Sequence, residues 1–254
     1  MINWIKSLRL SIVLLAGLLT VVSFKLVGHI NESFLPTVIT IFIAAATMMQ
    51  NDLRDRFHDL KKGKTLATRN YNYFLSITVM LWLISLFLIF YNWRSNSISW
   101  SLPLLAVVVG LVYSETRRLP MIPIMLVSFT SAAPVLFPIF LGYSAPVLWY
   151  LYVITVLIIL SREIIKDIED SLIDSGYKWT LALYLGNDLF KWLFVIFLLG
   201  VSLVIALVYF QTIVIALFFI PTLVLLLVGR STTLIKRAMD LGILATLIFL
   251  LFEK

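Results

Sequence analysis

The sequence predicts an all-α integral membrane protein, on three observations. Apolar residues fill 61% of its 254 positions and charged residues only 13%, a balance that a water-soluble domain of this size could hardly carry. Apolar stretches recur along the whole chain at the roughly 20-residue length a helix needs to cross a hydrocarbon core about 30 Å thick. Between them lie short connections that hold nearly all the charge.

The elements follow in order. Lys6 and Arg9 precede the apolar run Leu10 to Leu19. A secretory signal starts in the same way, but no small-residue cleavage site leads into a soluble region, so 9–28 reads as the first span. The next three spans are expected over 34–50, 73–92 and 98–114. The fifth, 121–141, is crowded by Pro120, Pro123, Pro134 and Pro138. Each proline removes an intrahelical hydrogen bond unless a neighbour satisfies the freed carbonyl, so this span is expected to be kinked. Spans six to nine are expected over 146–165, 189–209, 211–229 and 232–252, and the whole of 1–254 reads as a single transmembrane domain.

Nine spans put the termini on opposite sides, and the charges test the orientation. With a cytoplasmic N-terminus, all of the 20 Lys and Arg except Lys25, Arg94 and Lys254 lie in the cytoplasm. Of the 13 acids, all but Glu32 and Glu253 lie there too. A missed or invented span would blur that bias. Any chemistry is therefore expected at the cytoplasmic face. The net charge of +7 fits a membrane surface better than nucleic acid, since the bases sit in short connections and not on a soluble face. The absence of cysteine excludes thiol catalysis, disulfides and zinc–thiolate sites.

Two acid clusters stand out. The first runs Asn51, Asp52, Leu53, Arg54, Asp55, Arg56, Phe57, His58, Asp59. If span two stays helical beyond the membrane edge, Asn51, Asp55 and Asp59 share one face at i, i+4 and i+8. The second runs from Arg162 to Asp170 and then Asp174. There Asp167, Asp170 and Asp174 share a face at i, i+3 and i+7. Like charges so spaced repel, more so beside a low-dielectric membrane, and call for a cation. Carboxylate and amide oxygens are hard ligands suited to magnesium, which keeps several waters and is commonly shared with substrate phosphates. The expected ligand is a phosphorylated molecule held where the two faces converge. Charge runs between spans are often only solvated loops, but the regular spacing of both runs argues for a site. His58 reads as a loop residue and not as a ligand. The clusters follow spans two and six, which hints at two related four-helix halves plus one helix.

Bases lie close by in sequence. Lys166 falls within the second cluster, and Tyr113, Ser114, Glu115, Thr116, Arg117 and Arg118 end the fourth span. Arginine recognises phosphate oxygens in a planar, bidentate way. Arg117 and Arg118 would equally serve as headgroup anchors.

Together these residues resemble the UbiA superfamily of intramembrane prenyltransferases. Asn51, Asp52, Asp55 and Asp59 match its Asn-Asp-x-x-Asp-x-x-x-Asp motif, and Lys166, Asp167, Asp170 and Asp174 match its Lys-Asp-x-x-Asp-x-x-x-Asp motif. Tyr113, Ser114, Arg117 and Arg118 match its Tyr-Ser-x-x-Lys/Arg-Arg segment. The run Arg162 to Asp170 is most similar to the branch that attaches geranylgeranyl groups to glycerol phosphate ether lipids, and aromatic-acceptor members share much of it. Departures are Ile173 in place of glycine, Asn70 in place of proline after Arg69, and Leu181 and Ala182 where proline is common after Thr180.

The resemblance implies nine helices in a bundle around a central cavity that opens to the cytoplasm. It implies Mg2+ held by Asn51, Asp52, Asp55, Asp59, Asp167, Asp170 and Asp174, with Asp55, Asp167 and Asp170 catalytic. Arg117, Arg118, Lys166, Tyr113 and Arg69 would bind the diphosphate. The partners implied are an isoprenyl diphosphate donor, a lipophilic acceptor and the bilayer, with neither nucleic acid nor an obligatory protein partner. Intramembrane terpene cyclisation would use the same ionisation without an acceptor. A transporter is a third reading, but transporters bury ionisable groups near the midplane, where these spans carry almost none.

Overall fold

A computed structural model describes residues 9–62, 65–93, 98–113, 115–116, 118–143, 145–174, 176, 179–186, 188–210, 213–229 and 231–253, leaving aside the side chains of 62, 172–174, 188 and 213–218. Among these residues the longer helices are α1 (Leu10–Leu26), α2 (Phe34–Asp59), α3 (Tyr71–Trp93), α4 (Ser101–Tyr113), α5 (Ile122–Ala132), α6 (Pro146–Asp174), α7 (Asp188–Phe210), α8 (Ile213–Leu227) and α9 (Thr232–Phe252), and no strand occurs. Each overlaps an expected apolar segment, although α2 and α6 run past theirs and α5 stops short.

Among the described residues, five stretches are long and apolar enough to cross a membrane: Phe34–Asp59, Tyr71–Trp93, Ile122–Phe140, Pro146–Ser171 and Leu189–Phe210. Leu10–Leu26 and Ser101–Tyr113 are apolar but shorter. At about 1.5 Å per residue, the 13 residues of α4 reach only some 20 Å. The protein's surface suits lipid, with Phe87, Phe197 and Val204 all exposed. Buried hydroxyls turn back onto their own helix: Ser23 donates to the Leu19 carbonyl, Thr78 to Phe74 and Ser128 to Ile124. That local bond satisfies a polar group where water is absent.

The chain forms two compact units, 1–115 with 136–144, and 116–135 with 145–254. In the first, α2 packs on α1, α3 and α4, and a short helix, Leu66–Arg69, packs on α2 and α3. In the second, α6 packs on α5, α7 and α9, and a short helix, Leu181–Leu185, packs on α6 and α7. Each unit thus sets an acid-bearing helix among its neighbours and follows it with one short helix.

In the first unit, Gln50 ties three helices together. Its Nε2 donates to the Leu111 carbonyl at 2.9 Å and its Oε1 accepts from Trp82 Nε1 at 2.8 Å. Gly110 permits this approach, since a Cβ there would stand 2.6 Å from Thr47 Oγ1 and 2.8 Å from the Trp82 ring. Away from the acids, Glu32 accepts from the Tyr143 hydroxyl at 2.5 Å and pairs with His29 at 3.1 Å. Tyr143 stacks on His29, with ring centroids 3.8 Å apart. The Tyr143 hydrogen bond holds the Glu32 carboxyl below its ordinary value and in return raises the Tyr143 phenol.

The crowded fifth span breaks as expected. Pro123 sits in the first turn of α5, where its missing N–H is harmless. The helix then gives way to a 3-10 turn, Ala133–Leu136, before the short helix Phe137–Phe140. Pro134 cannot donate to the Thr130 carbonyl, which accepts instead from the Ala133 N–H.

Candidate functional site

The first acid face rests on the continuity of α2. Its 26 residues run unbroken from Phe34 through Asp59, beyond the apolar stretch that ends near Gln50. At about 100° per residue, Asn51, Asp55 and Asp59 lie within roughly 80° of arc, with Asp52 some 20° further round. The opposite side of this end is pinned by packing, because Met49, Leu53 and Phe74 form a buried cluster against Leu66, Ala67, Ile77 and Leu81. The apolar stripe thereby fixes how the acid stripe points. Asp52 and Asp59 are buried, and Asn51 and Asp55 are half-buried. His58, expected in a loop, is a buried residue of α2; the helix simply extends further than hydropathy alone indicates.

Bases around this face are engaged in different ways. Arg9, the N-cap of α1, reaches Asp52 Oδ1 with Nη2 at 3.0 Å and Met48 Sδ with Nη1 at 3.7 Å. Its backbone is left-handed, with φ 46° and ψ 49°, an unfavourable setting for a residue with a Cβ. Arg56 donates to the Leu53 carbonyl at 2.9 Å and lies 4.5 Å from the Phe57 ring and 4.7 Å from the Tyr71 ring, positions suited to cation–π attraction. Arg54 pairs with Glu115 at 3.0 Å, with both side chains more than half exposed, so that pair contributes little.

The second acid face lies on α6, whose 29 residues extend through Asp174. Asp167 is buried and Asp170 half-buried; the Asp174 side chain lies outside the described residues. In helical register the three acids fall within roughly 60° of arc, and Arg162 and Glu169 lie roughly a third of a turn away. That separation sorts the charges. Arg162 donates to Asp240 of α9 through Nε at 2.7 Å and Nη2 at 3.2 Å. Glu169 accepts from Thr233 at 2.8 Å and pairs with Lys236, both of α9. Glu163 joins Arg162 at 3.5 Å and Lys166 at 2.7 Å. Asp167 and Asp170 also have interaction partners of their own.

The remaining candidates are placed more simply. Tyr113, the last residue of α4, is half-buried; Arg69 closes the short helix Leu66–Arg69 and is exposed; Arg118 is exposed. Arg117 lies outside the described residues. Residues that the sequence did not single out are Arg9, Gln50 and Asp240. Asp240 had a signal, as a lone acid in the apolar run of the last helix.

The donor set suits a hard cation, since the side chains offered on the two faces are all oxygen ligands. Among the described residues, no three acidic or histidine side chains draw together closely enough to hold a metal.

No protein-family model matches the sequence. No curated protein matches it either. Among solved structures, one reported for digeranylgeranylglyceryl phosphate synthase in membranes matches with a TM-score of 0.63 and 18% identity, over 98% of this chain and 98% of that one. The chain has the fold of that synthase. The likeness extends over nearly all of both chains.

Proposed function

We propose that the chain is a magnesium-dependent membrane prenyltransferase, which moves an isoprenyl group from a polyprenyl diphosphate to a lipophilic acceptor, either a glycerol phosphate ether lipid or an aromatic ring. The observation that supports this most is that two unbroken helices each carry their acid motif on one face, in a fold shared with a digeranylgeranylglyceryl phosphate synthase. In this reading 1–254 forms one catalytic domain of nine spans, its N-terminus cytoplasmic and its site opening on that side.

Asn51, Asp52, Asp55, Asp59, Asp167, Asp170 and Asp174 would hold the magnesium. When bound, that ion neutralises charge building on the diphosphate as the allylic carbon–oxygen bond breaks. Lys166, Arg117, Arg118, Arg69 and Tyr113 bind diphosphate oxygens and orient the donor. The two buried acids of α2, Asp52 and Asp59, are held with little access to water, where a charge interaction is stronger. Aromatic side chains and the apolar lining shield the allylic cation until the acceptor attacks.

The test is incubation of detergent-purified protein with magnesium and radiolabelled geranylgeranyl diphosphate, with and without lipid and aromatic acceptors. Acceptor-dependent, EDTA-sensitive product is expected. Replacing Asp55 or Asp167 by Ala should lower turnover by at least about 100-fold while leaving a folded membrane protein. Full activity in both variants would sink the assignment, and a cyclic hydrocarbon formed without acceptor would identify a cyclase.

A further inference from the structure

We infer that Asp240, on the last helix, is a positioning residue for Lys166, acting through Arg162 and Glu163. The inference rests on the reading above, in which Lys166 binds diphosphate. The chain of contacts is continuous. Asp240 takes Arg162 by two hydrogen bonds, from Nε at 2.7 Å and from Nη2 at 3.2 Å. The remaining terminal nitrogen, Nη1, turns to Glu163 Oε1 at 3.5 Å. Glu163 gives its other oxygen, Oε2, to Lys166 Nζ at 2.7 Å. Lys166 immediately precedes Asp167, the first acid of the second face.

Two features make this a relay and more than a tether between helices. First, the side chains at its centre are shielded, Glu163 being 14% and Arg162 19% exposed, so water loosens the contact between them less than it does a surface pair. Second, the valences are divided. A guanidinium is a planar fork, and Asp240 occupies the side that would otherwise turn to take Glu163 bidentately. Glu163 is thereby left able to hold the ammonium of Lys166. A lysine stem is flexible, and Glu163 fixes where its charge stands. The α6–α9 contact does not need Glu163, because Glu169 with Lys236 and Thr233 joins the same two helices independently.

The experiment compares binding of inorganic pyrophosphate with magnesium, by calorimetry, and the KM for donor and for acceptor, in the full-length protein in detergent. Asp240→Asn is expected to weaken pyrophosphate binding and raise the donor KM by about 10-fold, the scale of outer-shell effects, with the acceptor KM unchanged and Asp240→Glu restoring most of the loss. Glu163→Gln, which keeps the Arg162–Asp240 pair, should do the same. The exchanged pair Arg162→Asp with Asp240→Arg should recover thermal stability but not pyrophosphate affinity, since Glu163 has lost its arginine. Wild-type affinity in Glu163→Gln, or recovery of affinity in the exchanged pair, would overturn the relay and leave the prenyltransferase reading intact. A wild-type protein that neither binds pyrophosphate nor consumes donor would overturn both.

Discussion

The C-terminal ends of α2 and α6 carry the same pattern of acids, and the ion pairs described at each are built differently. On α2 a motif acid is itself engaged: Asp52 pairs with Arg9, contributed by the start of the preceding helix. On α6 the bases are engaged by acids that are not part of the motif. Arg162 is held by Asp240, Lys166 by Glu163, and Lys236 by Glu169. One spacing of carboxylates is therefore compatible with two solutions. On α2 a motif oxygen takes part in an ion pair, and on α6 acids outside the motif form ion pairs beside motif acids that have partners of their own.

The sharpest way to break this comparison is to remove one base from each end. Arg9→Met strips a partner from the buried Asp52 and should destabilise the protein by about 1–3 kcal/mol, the cost of leaving a buried polar group less satisfied. It should also alter the magnesium dependence of turnover; thermal unfolding in detergent and magnesium titration measure the two effects. Lys236→Met, at a seam with a second joining pair, should cost no more than about 1 kcal/mol. Equal losses would mean that the two ends are not compensated differently.

A comparable loss is expected from packing in the first unit. Gly110→Ala forces a Cβ against Thr47 and Trp82, and overpacking of this kind costs about 1–3 kcal/mol. A lowered melting temperature with the magnesium requirement unchanged would separate packing from charge. The smallest effect lies at Glu32. Its carboxyl is held below the usual value, first by the Tyr143 hydrogen bond, so its contribution is present above the ordinary carboxylate value and is lost as pH falls through the lowered one. Glu32→Gln should lower the melting temperature slightly at neutral pH, leave it unchanged at low pH, and so flatten the acid side of the profile.

The acid faces were legible because they depend on local register. A helix that continues past Gln50 must bring Asn51, Asp55 and Asp59 to one side, and the break near Pro134 likewise follows from a missing donor. The neighbours of those faces were not legible. Arg9 and Asp52 are 43 positions apart, and Arg162 and Asp240 are 78 apart. No period in the sequence links them. Gln50 was equally silent, an amide among apolar residues whose role depends on Trp82 and Leu111 arriving beside it.

The sequence by itself determined an all-helical, lipid-facing chain, the order of its helices and the face on which each acid motif lies. Hydropathy and helical period are properties of neighbouring residues, and lipid leaves the backbone no alternative to satisfying itself within each helix. Only the tertiary structure decided how far α2 and α6 extend, which base meets which acid, and where glycine must admit a neighbour. Those depend on distances between segments remote in the chain, and a charge is neutralised only by what packing brings within reach.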